Sequence, residues 1–395
     1  MDPLLNPYTP GSGRTPPALV GRDAELTGAE LLIRRTRQGK AGRSLMLYGL
    51  RGVGKTVLLN EMRHRAADAG WLTASMEAKQ DKKGAEQSRA RLSREISSSA
   101  RQLKSWRERS TDKIKVAWAT ISSFSITAGV GPLTVGTEIA PSQRASSGTL
   151  ELDLEDLIAD IVPALQESGI GMALFIDEIQ DLDKAMLEAL LATQHRAAQN
   201  EWPFYVFGAG LPMVPATLAE ARSYAERQFD YRHIDRLSPE EARTALVQPA
   251  EEAGVEFTEA AAATVLASAQ GYPYFLQVYG DLVWQIADTS PVSVGAATSA
   301  TAAGIGEIDR SLFRSRWDRA TPKQKDLMIA MSDDDGPSSI SDLAARMGKK
   351  RPSDISVFRD ELIRKGLIYA PERGYLEFTV PLMTDYVRRQ ADYSS

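Results

Sequence analysis

The chain has 395 residues, a formal net charge of −5, 43% hydrophobic and 25% charged residues. These proportions suit a soluble globular protein of two or three domains and exclude a disordered or fibrous chain. It has no cysteine and only His64, His195 and His233, which excludes disulfides, a thiolate zinc site and a Cys nucleophile and leaves little for a His-based metal site.

The start of the chain lacks the basic and apolar regions of a signal peptide, and no apolar run approaches the roughly 20 residues of a membrane span. A cytoplasmic protein is expected. Residues 1–20 are Pro- and Gly-rich and read as an extended arm. Residues 23–38 have helical spacing at Leu26, Leu31, Leu32 and Ile33. Ser44 to Gly49 reads as a buried parallel strand, Lys55 to Ala69 as a helix, and Trp71 to Met76 as a second strand. After a helix over 150–168 comes a third strand, Gly171 to Asp177. A helix over 182–198 precedes a fourth strand at Phe204 to Gly208, and Phe229 to Ile234 reads as a fifth. Strands alternating with helices predict a parallel α/β sheet.

Residues 79–149 interrupt this alternation. Lys79 to Lys115 holds 12 Lys and Arg against 5 Asp and Glu, and Ile114 to Ile139 alternates apolar and small polar residues in a way that predicts a β-hairpin. Ser238-Pro239-Glu240-Glu241 has capping-box spacing and opens a helical region over 238–290. Residues 291–306, rich in Ala, Ser, Thr and Gly, read as a linker. Residues 307–395 read as three helices and then two short strands, the order of a winged helix.

The chemistry is concentrated in two places. Gly49-Leu-Arg-Gly52-Val53-Gly54-Lys55-Thr56 matches G-x-x-x-x-G-K-[ST] between a strand and a helix, and Val57 follows it as a further candidate for nucleotide contact. Its glycines let successive N–H groups face phosphate oxygens, the helix N-terminus adds partial positive charge, Lys55 adds a full one, and the Thr56 hydroxyl suits Mg²⁺. Asp177 and Glu178 end the third strand, where ligands bind in an open parallel sheet; Asp177 suits Mg²⁺ and Glu178 the attacking water.

These motifs resemble the AAA+ P-loop ATPases, most closely the origin-recognition and STAND-like branch, over about residues 17–290. Val20-Gly21-Arg22-Asp23 is similar to the box that lies over the adenine, 49–56 to Walker A, 175–178 to Walker B, and Gly271-Tyr272-Pro273 to the element by which such lids approach the base. The resemblance implies a P-loop NTPase parallel sheet over 21–237, a helical lid over 238–290, a winged helix over 307–395, and ATP and Mg²⁺ as ligands. It implies ATP hydrolysis by a conformational switch, made slow by the departures below, with a non-hydrolysing regulator or a transposition or loader helper as alternatives. Two features depart from it. No polar sensor side chain stands in Phe207–Gly210, and no lid arginine stands in Gly271–Gly280. Arg222, Arg227 and Arg232 are candidates for a finger acting on a neighbouring subunit, with Arg227 preferred.

Partners stay open between double-stranded DNA, a protein and further copies of the chain. Residues 307–395 hold 16 basic and 15 acidic side chains, few cations for a DNA-binding domain. The basic insertion suits a nucleic-acid backbone, an acidic partner, an anionic membrane surface or plain solvation. Tyr8 is a packing residue or an adenine-stacking one.

Overall fold

Five strands form one parallel sheet in a computed structural model that describes residues 1–11, 13–79, 84–103, 106, 111–130, 134–135, 137–138, 142 and 144–392. They are β1 (Ser44–Tyr48), β2 (Leu72–Glu77), β5 (Met172–Asp177), β6 (Phe204–Gly210) and β7 (Phe229–His233), in the order β2-β5-β6-β1-β7. The central strands are buried along nearly their whole length, hence their unbroken apolar runs. Helices Lys55–Asp68, Leu150–Ser168 and Lys184–Gln199 cover the sheet, and their apolar faces join it in one core. β3 (Thr134–Val135) and β4 (Thr137–Glu138) make a separate antiparallel pair.

The insertion differs from its expected form. Residues Asp112–Thr127, predicted to lie in a long hairpin, form a helix, and Gly84–Gln102 form another. Only the β3–β4 pair is left of the hairpin, and the rest of the expected second arm lies largely outside the described residues. The alternation misled because residues 117–125 of helix Asp112–Thr127 are buried nearly all round, including Thr120, Ser122, Ser123 and Ser125. Ser125 meets Ser93 at 2.9 Å and Ser97 at 2.8 Å, so small hydroxyls satisfy each other where the two helices close together. Leu92, Ile96, Trp118 and Phe124 belong to the main core. The insertion is therefore a packed layer and not a solvated arm.

Residues 291–306 are corrected too. Val294–Ile308 is a helix packed on helix Pro273–Ile286. Its small residues permit that approach: a Cβ on Gly304 would lie 2.5 Å from the Tyr279 ring. Ala and Gly at a close helix contact give the same composition as a linker. Together with Pro239–Glu252 and Glu259–Ala269 this helix completes a four-helix lid, whose core is continuous with that of the C-terminal unit and separate from that of the sheet.

A π-helical turn, Asp309–Phe313, and a short helix, Arg314–Asp318, lead into the last unit. There helix Pro322–Met331, β8 (Ser338–Ser339), helices Ile340–Arg346 and Ser356–Arg364, β9 (Ile368–Tyr369), β10 (Tyr375–Phe378) and helix Met383–Asp392 surround an antiparallel sheet in the order β8-β10-β9. This unit packs on the core of the molecule, because the Arg51 N–H donates to the Thr379 carbonyl at 3.0 Å. Among the described residues no helix is long and apolar enough to cross a membrane.

Candidate functional site

The loop between β1 and helix Lys55–Asp68 turns on Gly52 and Gly54, at φ +83° and +92°, a region that side chains avoid. Gly49 continues β1, its N–H donating to the Gly210 carbonyl at 3.2 Å. The loop borders a cavity of about 480 Å³. Of the residues singled out from the sequence, Val20, Arg22, Gly52, Val53, Gly54, Lys55, Thr56, Val57, Asp177, Glu178 and Pro273 line it. Gly49 and Gly21 stand just behind it.

Lys55 is buried, and its Nζ donates to the carbonyls of Gly49 (2.9 Å) and Leu50 (2.6 Å). Burial pushes its ammonium down to about 8, against the pull of Glu178. Thr56 Oγ1 donates to Asp177 Oδ2 at 2.7 Å, placing two hard oxygens side by side. Burial raises the Asp177 pKa, while the Thr56 hydrogen bond opposes the rise. Among the described residues no group of three or more His, Asp or Glu could hold a metal alone. The Thr56–Asp177 pair instead fits Mg²⁺ as usually bound, through one or two protein oxygens and the phosphates of a substrate.

Glu178 has the left-handed φ of +49° and both its oxygens are engaged. Arg51 pairs with Oε1, and Gln180 Nε2 donates to Oε2 at 2.7 Å. Gln180 also accepts from the Leu211 N–H at 3.1 Å. A Cβ on Gly210 would lie 2.2 Å from Gln180 Oε1. A polar side chain from the turn after β5 thus stands at the end of β6, whose own last residues carry none. The sequence reading missed Gln180 and Arg51. Arg51 occupies an x position of the loop motif, and Gln180 lies two residues past the acidic pair; neither belongs to a pattern.

The remaining walls come from elsewhere. The Arg22 guanidinium donates to the carbonyls of Val53 (3.0 Å) and Asp235 (2.6 Å), so it braces the loop from behind. Gly21, at φ +70°, lies against the Glu241 carboxylate of the lid's capping box. Pro273 opens helix Pro273–Ile286, whose Tyr274 N–H donates to the Gly52 carbonyl at 3.3 Å. Thr9, Gly11, Gly13 and Arg14 of the arm line the cavity, as do Ser311, Leu312 and Arg316 beyond the lid. Tyr8 does not: it is buried in the lid, its hydroxyl donating to the Leu246 carbonyl. Asn6 bonds Asp281 at 2.6 Å and holds the arm there.

Arg227 is not brought to this cavity. It is exposed in helix Ala225–Gln228, ahead of the N-terminal end of β7 and away from the strand ends that carry Asp177. Arg222 pairs with Glu151 at 3.1 Å and Arg232 with Asp230 at 2.7 Å.

Residues 18–207 match a family model described as an AAA ATPase domain, and residues 310–387 match a domain of unknown function, DUF8462. No curated protein matches the chain. Among solved structures, the Walker-type ATPase PABY2304 of Pyrococcus abyssi is similar in fold, with a TM-score of 0.59 and 15% identity over 94% of this chain and 96% of that one. The Thermotoga maritima RuvB Holliday junction branch migration motor (TM-score 0.46, 16% identity, 94% and 97% covered) and the Aeropyrum pernix ORC1 protein in complex with DNA (0.44, 16%, 96% and 94%) are more distant. Sheet order, phosphate loop and matched domain agree: residues 18–207 form an AAA ATPase domain with a P-loop fold.

Proposed function

We propose that the chain binds ATP with Mg²⁺, hydrolyses it slowly, and uses the bound nucleotide as a conformational switch. The observation that carries this reading is one cavity lined by the phosphate loop, both acidic residues, the lid and the segment beyond it. The N–H groups of residues 52–56 and Lys55 hold phosphate. Thr56 and Asp177 would hold Mg²⁺, which would neutralise charge on the phosphates. Glu178 orients the attacking water once released from Arg51, with Gln180 positioning it. A neighbouring subunit's copy of Arg227 would complete the site only in an oligomer.

The test is nucleotide binding and steady-state turnover. Lys55→Ala is expected to lose binding by about a hundredfold or more, and Glu178→Gln to keep binding while turnover falls by roughly 10²–10⁴. Tight ATP binding by the Lys55→Ala protein overturns the reading.

A second reading, a nucleotide-dependent regulator with negligible turnover, is favoured by the engagement of both Glu178 oxygens. Wild-type turnover no faster than Glu178→Gln, with tight ATP binding, would select it.

We read residues 322–378 as a winged helix of the origin-recognition or STAND type. Two of the cations around its third helix are matched locally, Arg351 with Asp354 at 3.3 Å and Arg359 with Asp360 at 2.8 Å. That favours a protein-facing role over duplex DNA. DNA binding that falls steeply with salt, or DNA-stimulated turnover, would reverse the preference.

A further inference from the structure

Arg316 is one of the cavity's cations that the protein leaves without a carboxylate partner among the described residues. It is half-buried and lines the same cavity as Lys55, Thr56 and Glu178. Its guanidinium donates to the Leu312 carbonyl one turn earlier, and among the described residues no carboxylate forms an ion pair with it. The arginines beside it point elsewhere, Arg310 to Glu307 at 2.9 Å and Arg314 to Asp318 at 3.8 Å.

The backbone is shaped to put it there. The π-helical turn Asp309–Phe313 interrupts an otherwise regular helix running from Val294 to Asp318. Such a turn shifts the faces of the residues after it and occurs often at functional sites. Ser311 Oγ lies 3.3 Å from the Tyr274 hydroxyl, and the Tyr274 N–H reaches the Gly52 carbonyl. The segment is thereby tied through the lid to the phosphate loop. Burial and the neighbouring cation Arg51 push the Arg316 pKa down to about 10, while Glu178 pulls it up. A cation held beside other cations, with no carboxylate paired to it among the described residues, suits an anion that arrives from outside.

We propose that Arg316 binds the terminal phosphate of a nucleoside triphosphate, so that the triphosphate, and not the diphosphate, ties the C-terminal unit to the phosphate loop. The inference rests on the nucleotide reading above. The terminal phosphate is assigned because Arg316 shares the Glu178 end of the cavity. A carboxylate that acts through water addresses the outermost phosphoryl group. The lid helix Pro273–Ile286 carries no basic side chain, so the cation comes from the element that follows the lid.

Calorimetric titration of the full chain with Mg²⁺ and either ADP or a non-hydrolysable ATP analogue tests it. The wild type is expected to prefer the triphosphate. Arg316→Ala should lower triphosphate affinity by about ten- to a hundredfold, the worth of one charge-assisted contact. ADP affinity should stay within about twofold, which also reports that the site is folded. Arg316→Lys should recover part of the loss. If Arg316→Ala is too unstable to titrate, Arg316→Gln keeps a donor for Leu312 and gives the same comparison. Equal losses for both nucleotides, or no loss for either, overturn the proposal while leaving the nucleotide reading intact. A wild-type protein that binds neither nucleotide overturns the reading itself.

Discussion

The insertion and the cavity are both rich in cations, but they treat them in opposite ways. In the insertion Arg89 pairs with the fully buried Asp153, and Arg144 reaches Asp156 and Asp160, both at 2.9 Å. Asp153 also accepts from the Ser147 N–H at 2.6 Å and the Gly148 N–H at 3.2 Å. Among the described residues, Arg22, Lys55 and Arg316 of the cavity hydrogen-bond to backbone carbonyls, and none is ion-paired to a carboxylate. The insertion's charge density pointed to an external polyanion, yet some of its best-placed charges serve internal packing. The cavity's fewer cations are the ones left for a ligand. Charge density along a sequence counts cations, whereas affinity for an anion depends on which of them lack a partner.

The largest effect that would sharpen this contrast is at Asp153, the insertion's partner in helix Leu150–Ser168. Asp153→Ala strands Arg89 in a partly buried setting and should destabilise the protein by about 3–5 kcal/mol in urea unfolding. ATP affinity of the folded fraction should stay within about twofold. A protein of unchanged stability but weakened ATP binding would break the contrast by making the insertion part of the site.

Next in size is the pH dependence of binding. Buried without a carboxylate, Lys55 loses its proton near pH 8 in the free protein. Bound phosphate favours the ammonium, so binding above that pH takes up a proton. Affinity should therefore be flat below about pH 8 and fall by up to about tenfold per pH unit above it. Calorimetry in buffers of different ionisation heat reads the proton uptake directly. Constant affinity through pH 9.5, with no uptake, would mean that Lys55 is already paired.

The smallest effect concerns Arg51, the one cavity cation that does have a carboxylate. Arg51→Met leaves its N–H on Thr379 but frees Glu178, and turnover should rise by roughly two- to fivefold, the scale of a partly exposed ion pair. A fall in turnover with weaker triphosphate binding would place Arg51 on the phosphate instead.

How much was legible follows from how each part is built. The phosphate loop and the Asp177–Glu178 pair were readable because each is a run of adjacent residues whose backbone makes the site. The five strands were readable because each is a short apolar run with breakers at its ends. The helix Asp112–Thr127 was not, since burial of its residues 117–125 on nearly every side erased its period. The helix Val294–Ile308 was not, since close packing and flexibility favour the same small residues.

By itself, then, the sequence determined the phosphate-binding chemistry, the parallel sheet and the acidic strand end, because neighbouring residues suffice for those. Only the tertiary structure decided which cations remain free, where Gln180 and Arg51 hold Glu178, and that Tyr8 packs in the lid. It also decided that residues 311–316 complete a wall some 260 positions from the loop they face. Each of these depends on docking between distant segments, and no local pattern encodes the partner.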